Sequence, residues 1–373
     1  MSGITIDQAI EKVVDQRRTR QDIQVPISKL GMESNGRELV CTIDGQDYIP
    51  TEHAMRQMAS WMNVSHAVLK QYTNPVLKQN GDIRYKRDAR DMDLLVSLFK
   101  NGIRDGRVEP DKEFKFRTYT DGTLRAMVSD RYAIIDNVWY LEMLKGAFSD
   151  YAEQPLFEHW RGDADTIYGD LRIPAISHTS NDSDYGGMLF IGNCEIGKAR
   201  ISICPAVWRM ICTNGMMGWG RGQRWSKVHR GEVDLKVLAG DITAKINETV
   251  PTLMNGINAL LGTKDRKFEA NPSELIAQVA NEYKLSTGGT GQAVQVLDQY
   301  GKHESAFRNL FGIVNAVTRT AQLQKDPAEQ FRLEEVGGQL TNLDSKQWDR
   351  LNTVAMALGK EKVEKTYGIV SSS

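Results

Sequence analysis

The sequence predicts an α+β protein, with a central β-rich domain and packed helices followed by a mostly helical C-terminal third. The hydrophobic period is near 3.6 residues in the N-terminal segments, shortens to 2 from Glu113, and returns to helical spacing beyond Val233. Two dipeptides suited to tight hairpin turns, Asp44-Gly45 and Asp121-Gly122, lie between strand-like runs. At 373 residues the chain exceeds what one core usually organises. The pattern divides it into N-terminal helices and a hairpin over 1–106, a central β-rich domain over 107–236, a helical region over 237–358 and a flexible tail over 359–373.

Ile6, Ala9, Ile10, Val13 and Val14 fall three and four apart, which is one face of a short helix. Residues 38–42 and 46–49 flank Asp44-Gly45 as a hairpin, and Pro50-Thr51 opens a helix through Trp61. A second helical piece follows Val64-Ser65. Its spacing approximates a helix-turn-helix, but the would-be recognition face is poor in Arg and Asn and reads as an ordinary helical corner. Asn74-Pro75 ends that piece, an amphipathic helix covers 92–99, and Asn101-Gly102 with Asp105-Gly106 marks a boundary. Phe114, Phe116 and Thr118 then alternate with charged residues, and Asp121-Gly122 turns the chain into Leu124, Ala126 and Val128. Asn137 is placed to cap a helix with Trp139, Tyr140, Met143, Leu144 and Phe148 on its buried stripe. Strand-like runs recur at 157–160, 166–173, 188–191 and 199–204. Helices are expected around 235–242, 272–283, 293–300, 307–323 and 345–358.

An apolar fraction of 40% beside a charged fraction of 25% is that of a globular protein, and no stretch reaches the roughly eighteen apolar residues of a membrane span. The first twenty residues lack the apolar centre of a secretory signal, so the expected location is the cytoplasm and no membrane partner is expected. Cys41, Cys194, Cys204 and Cys212 form neither a disulfide framework nor a CxxC zinc pair and read as free thiols. The run Asn181-Asp182-Ser183-Asp184 lacks the distal glutamate of a calcium loop, and Asp163, Asp165 and Asp170 have no histidine at ligand spacing. Gly288-Gly289-Thr290-Gly291 is followed by no Lys-Ser/Thr pair and reads as a flexible connector. No metal and no cofactor is therefore expected.

A net charge of −1 gives no global attraction to a polyanion, so the distribution of charge matters more than its sum. Between Glu195 and Glu232 there is no acid, while Lys198, Arg200, Arg209, Arg221, Arg224, Lys227 and Arg230 supply seven cations. Trp208, Trp219 and Trp225 are interleaved with them, and His229 sits between Lys227 and Arg230. Arginine neutralises phosphates and indole stacks on bases, so Lys198, Arg200, Arg209, Trp219, Arg221, Arg224, Trp225, Lys227, His229 and Arg230 are the expected nucleic-acid contacts, on an exposed ribbon suited to single strands. The competing reading makes the Trp residues core and the bases a solvated rim.

Residues 209–216, Arg-Met-Ile-Cys-Thr-Asn-Gly-Met, followed by Val228-His229-Arg230-Gly231, resemble the signature of the phage/plasmid-like family known as domain of unknown function 932. In that family an arginine and an apolar pair lead into Cys-(Thr/Ser)-Asn-Gly, and a His-containing basic turn follows. The stretch from Val128 to Asn137 is similar to the family's strand-to-helix passage, and Asn315-Ala316-Val317-Thr318 resembles a C-terminal helical segment. The resemblance implies a mobile-element role in DNA metabolism, in the cytoplasm of a bacterial host cell. A hairpin, a helix and further strands with a basic groove are also similar to phage single-strand annealing proteins, which implies a homo-oligomer that binds or anneals single-stranded DNA in recombination. Two other classes stay open. In an anti-defence enzyme, Cys212 would be the nucleophile, His229 the base and Asn214 the orienting amide, although Asn214-Gly215 is also what a tight turn needs. In an interaction module, the helical third would dock a host protein.

Overall fold

The computed structural model describes residues 3–15, 19–35, 38–65, 67–69, 76–77, 83–84, 89–180, 183–211, 214–219, 225–301, 308–324, 327–359 and 363. The N-terminal portion runs β1 (Ile4–Thr5), α1 (Ile6–Asp15), β2 (Arg20–Pro26), β3 (Gly31–Ser34), β4 (Leu39–Ile43), β5 (Gln46–Pro50), α2 (Glu52–Trp61), the short pair β6 (Val76–Leu77) and β7 (Ile83–Arg84), and α3 (Ala89–Arg104). Then come β8 (Glu113–Tyr119), β9 (Thr123–Ser129), α4 (Asn137–Ala147), β10 (Leu156–Gly162), β11 (Thr166–Ser180), β12 (Ser183–Cys194), β13 (Ile201–Ile211), β14 (Asn214–Trp219) and β15 (Trp225–Lys227). Helices α5 (Leu235–Thr249), α6 (Leu253–Gly262), α7 (Pro272–Tyr283), α8 (Thr287–Gly301), α9 (Leu310–Leu323), α10 (Pro327–Thr341) and α11 (Ser345–Met356) follow. The architecture is α+β, with a helical C-terminal region. Among the described residues no helix is long and apolar enough to cross a membrane.

Turn chemistry builds the smaller sheet, ordered β2-β8-β9-β5-β4-β3. Asp44 and Gly45 take φ of 50° and 77°, the left-handed pair that a two-residue hairpin requires, and β4 and β5 zip from it. Gly122, at φ 87°, turns β8 into β9. β2 then pairs with β8, and β5 with β9, so strands from both sides of Gly106 share one sheet. Phe114, Phe116, Leu124 and Met127 pack one face of it against Met55 and Met58 of α2 and Leu95 and Phe99 of α3. The expected break at Asn101-Gly102 is absent, because α3 continues through it. Gly102 is needed there for a close approach, since a Cβ would fall 2.6 Å from the Met62 carbonyl oxygen.

The larger sheet runs β1-β10-β11-β12-β13-β14, with β15 on the same edge of β13 as β14. Its alternation is strict over the central strands. Phe157, Ile167, Leu171, Ile173, Leu189, Ile191, Ile201 and Ile203 point to one face and pack on α1, α4 and α5. Farther along the strands, past a register shift between Ile173 and Ser177, Tyr185 and Val207 meet α6 and the C-terminal bundle. There α9 is the central helix, buried on nearly every side from Leu310 to Thr318. The stretch Gly288-Gly289-Thr290-Gly291 is no connector but the first turns of α8, where Ser286 bonds Gly289 N through its hydroxyl and accepts from the Thr290 hydroxyl. Packing of Ala293, Val294 and Leu297 into the bundle outweighs the low helix propensity of glycine. The tail beyond residue 359 lies, Val363 apart, outside the described residues.

A buried ionic junction joins the two sheets. Asp165 and Glu195 flank the first pair of the β11–β12 ladder, with Glu195 N donating to Asp165 O at 2.8 Å. The Glu195 side chain is fully buried and accepts from Arg20 Nη1 at 2.7 Å, Arg125 Nη2 at 3.0 Å and Asn137 N at 2.8 Å. Arg125, also fully buried, sits at the bulge opposite the Arg117/Thr118 step and bonds Asp165 through Nε at 2.7 Å. Arg117 bonds the Glu195 carbonyl oxygen and, at 2.8 Å, Asp22. Asn137 does not cap α4, where Asp136 holds the cap position; its amide bonds Ala164 O and accepts from Asn193 instead. With Asp136 on the rim, three guanidinium groups face four carboxylates, so the cluster is nearly balanced in charge. Glu195→Ala would strand Arg20 and Arg125 and should cost about 3–5 kcal/mol of unfolding free energy. Urea unfolding of that variant measures the loss, and a change below about 1 kcal/mol would show that the junction does not hold the sheets together.

Candidate nucleic-acid interface

The acid-free run does not form one exposed ribbon. Its first half is β13, an interior strand of the larger sheet, and Ile201 to Val207 are buried throughout. The Trp225 ring packs on the helix-side core and is half-buried, which corrects its assignment as an open stacking platform. Lys227 points the same way, with Nζ 3.7 Å from Asp241 of α5. His229 is buried: Nδ1 lies 3.1 Å from Ala133 O, and the ring stacks on Tyr132 at 5.2 Å and 6°. It is thus a packing residue of the junction rather than a phosphate contact, because an imidazole sealed under Tyr132 cannot meet a ligand in solvent. Arg230 is exposed but opens into a groove with Glu109, Asp111, Glu113 and Asp130, where carboxylates oppose a polyanion. Lys198 and Arg200 are exposed between β12 and β13 and remain available. The strand positions of Arg209 and Trp219 pair with Tyr185 and Ala206, but their side chains, like all of Arg221 and Arg224, lie outside the described residues.

Of the candidate catalytic set, Asn214 and His229 are not brought together. Asn214 pairs with Ile211 at the far end of β13, whereas the strand leading to His229 pairs with Ile201–Ile203 at its beginning. Ten residues of extended chain separate Ile201 from Ile211, roughly 33 Å at the rise of a strand. Cys212 is bonded to Ile211 and itself lies outside the described residues. Among the described residues no group of three or more His, Cys, Asp or Glu could hold a metal ion.

Register assembles a different surface, on the face of the larger sheet turned away from the helices. One row across it is His159, Asp170, Phe190 and Cys204; the next is Arg161, Tyr168, Gly192, Ser202 and Ser226; a third contains Arg172, Met188 and Ala206. Among the described residues the helix-bearing cores draw on the opposite parity, while Met188 and Ala206 form a separate buried pair. Tyr168 and Phe190 stack diagonally, with centroids 6.1 Å apart and planes 25° from parallel, and both are half-buried on this face. Gly192 makes room for them: a Cβ there would fall 3.0 Å from both the Tyr168 ring and Ser202 Oγ. Beside the stack are exposed Arg161 and half-buried Arg172, whose Nε lies 2.6 Å from Glu158 at an angle that makes it an ion pair rather than an aligned hydrogen bond. The signal in the sequence was the two-sided run of β11, where Tyr168, Asp170 and Arg172 alternate with Ile167, Gly169, Leu171 and Ile173.

No protein-family model, curated protein or solved structure matches the chain.

Burial holds the imidazoles of His229 and His53 below their ordinary pKa, helped by the charge of Arg117 on the former and of Lys198 and Arg56 on the latter, despite a backbone bond to each. The unfolded chain therefore takes up protons first, and stability falls as pH drops through about 6.5, by up to about 1.4 kcal/mol per pH unit for one group. His159, whose pKa is raised, acts only above that value, so the window below it isolates the buried histidines. The urea midpoint should decline from about pH 6.5 to 5.5, and less so in His229→Asn; equal declines in both proteins would remove His229 from the effect.

Proposed function

We propose that the chain binds single-stranded nucleic acid, DNA foremost, across the face of the larger sheet that carries Tyr168 and Phe190, and that it serves DNA metabolism of a phage or plasmid in the host cytoplasm. The observation that carries the reading is a half-buried aromatic stack on an antiparallel sheet face with arginines beside it. Bases freed from pairing stack on such a platform whatever their identity, and neighbouring cations neutralise the phosphates. Duplex DNA keeps its bases stacked inside, so the same platform discriminates against it. Exposed Lys198 and Arg200 extend the cationic surface at the β12–β13 turn. The resemblance to domain of unknown function 932 supports the mobile-element setting, and annealing by a homo-oligomer is the specific activity proposed. The readings as a Cys-dependent enzyme or a host-protein docking module have no comparable support, the first because Asn214 and the strand leading to His229 pair with opposite ends of β13.

Fluorescence anisotropy with a labelled oligothymidylate tests the proposal. The affinity should fall steeply with salt and exceed that for a duplex of equal length. Tyr168→Ala with Phe190→Ala should weaken binding roughly 5- to 150-fold, the range of one lost base stack. If the double variant binds as the parent does, the nucleic acid lies elsewhere.

A further inference from the structure

Beside the aromatic stack, one histidine is set up as an anion-binding group. His159 of β10 pairs in register with Asp170 of β11, and Nδ1 stands 3.2 Å from Asp170 Oδ2. The carboxylate is buried, with side-chain exposure of 4%, and its Oδ1 has no hydrogen-bond partner. The imidazole is half exposed. A buried carboxylate with one oxygen unbonded demands compensation by a cation, and the ring that supplies it holds Nδ1–H inward and turns Nε2–H outward. Arg161, two residues along the same strand, faces the same side opposite Tyr168, and Phe190 is the other register neighbour of Asp170.

We infer that His159, oriented by Asp170, binds a phosphodiester of the single strand whose base stacks on Tyr168 and Phe190, so that the affinity for single-stranded nucleic acid carries a proton switch. The inference rests on the sheet-face reading above. Adjacent strands lie about 5 Å apart, within the reach of one nucleotide from base to phosphate, so the stack and the imidazolium can engage one residue of the ligand. The bond to Asp170 is the main cause of a pKa raised above the ordinary value of 6.5; the Asp170 and Glu158 charges add to it, and burial and Arg161 oppose it. Arg172, the remaining charged neighbour on this face, is engaged with Glu158. The imidazolium persists below the raised pKa and is lost as pH rises through it, so binding should be tighter on the acid side.

The test is anisotropy with a labelled oligothymidylate, whose bases do not titrate in the range, from about pH 6 to 8.5 at fixed ionic strength, with circular dichroism confirming the fold at each pH. The parent should lose roughly tenfold in affinity across the range, as expected for one charge-assisted contact. His159→Gln should bind weakly and without that dependence. His159→Lys should hold the acid-side affinity up to about pH 8.5. Asp170→Asn should move the transition to lower pH while keeping the acid plateau. A pH profile that persists in His159→Gln, or a Lys variant as weak as the Gln variant, overturns the inference and leaves the sheet-face reading standing. A parent protein that binds no oligonucleotide at any pH overturns that reading as well.

Discussion

The burial of Glu195 between three positively charged or donating groups is the constraint around which the rest of the molecule is arranged. A carboxylate taken wholly out of water is tolerated only if each oxygen finds donors, and the donors come from four places: β2 with Arg20, β9 with Arg125, the start of α4 with the Asn137 amide, and β8 with Arg117 on the neighbouring carbonyl. Each of those segments must be in place for any of them to be comfortable. The junction therefore ties sheet to sheet with little tolerance in angle, as a hydrophobic contact of similar size would not, because hydrogen bonds are directional and dispersion is not. Arg117 and Arg125 have the largest side chains among those fully buried, and both are held by charge at the point where the two sheets meet.

With the sheets fixed, the helices are free to segregate. α1, α4 and α5 cover one end of the larger sheet, while α6 and the bundle around α9 cover the other from the same side. The opposite side is left to pairs and small clusters: Met188 with Ala206, Tyr168 with Phe190, Asp170 with His159. Among the described residues the helical cores lie on one face of the larger sheet, and the proposed binding surface is the half-buried stack on the other.

Much of the fold was legible in the sequence, and the failures have physical causes. Asp44-Gly45 and Asp121-Gly122 announce their hairpins because few other dipeptides accept those torsions. Pro272 to Tyr283 is a helix as expected, with a capping box from Asn271 and Glu274 visible in the chain. The acid-free run misled because absence of acids looks like a cationic surface, whereas an interior strand also excludes acids. A strand-like run is expected at 199–204, but from Ile201 to Val207 both parities are buried, so the strand is interior and not the start of an exposed ribbon. His229 looked like a basic-turn residue because its buried partners, Tyr132 and Ala133, are almost a hundred positions away. The alternation of β11 could be read, but the partners in the stack and in the His159–Asp170 pair could not, because each is set by register across strands, which one-dimensional spacing does not encode.

Along β11, side chains that pack toward the helices and side chains that face away from them are interleaved one for one, Ile167, Leu171 and Ile173 on the first side, Tyr168, Asp170 and Arg172 on the second. Selection can rewrite the partly exposed positions of such a segment, Tyr168 and Arg172, with far less effect on folding than the buried ones. Divergence among relatives should consequently leave a comb in this strand, conserved and drifting teeth in turn, and two lineages with different ligands could share an unaltered skeleton.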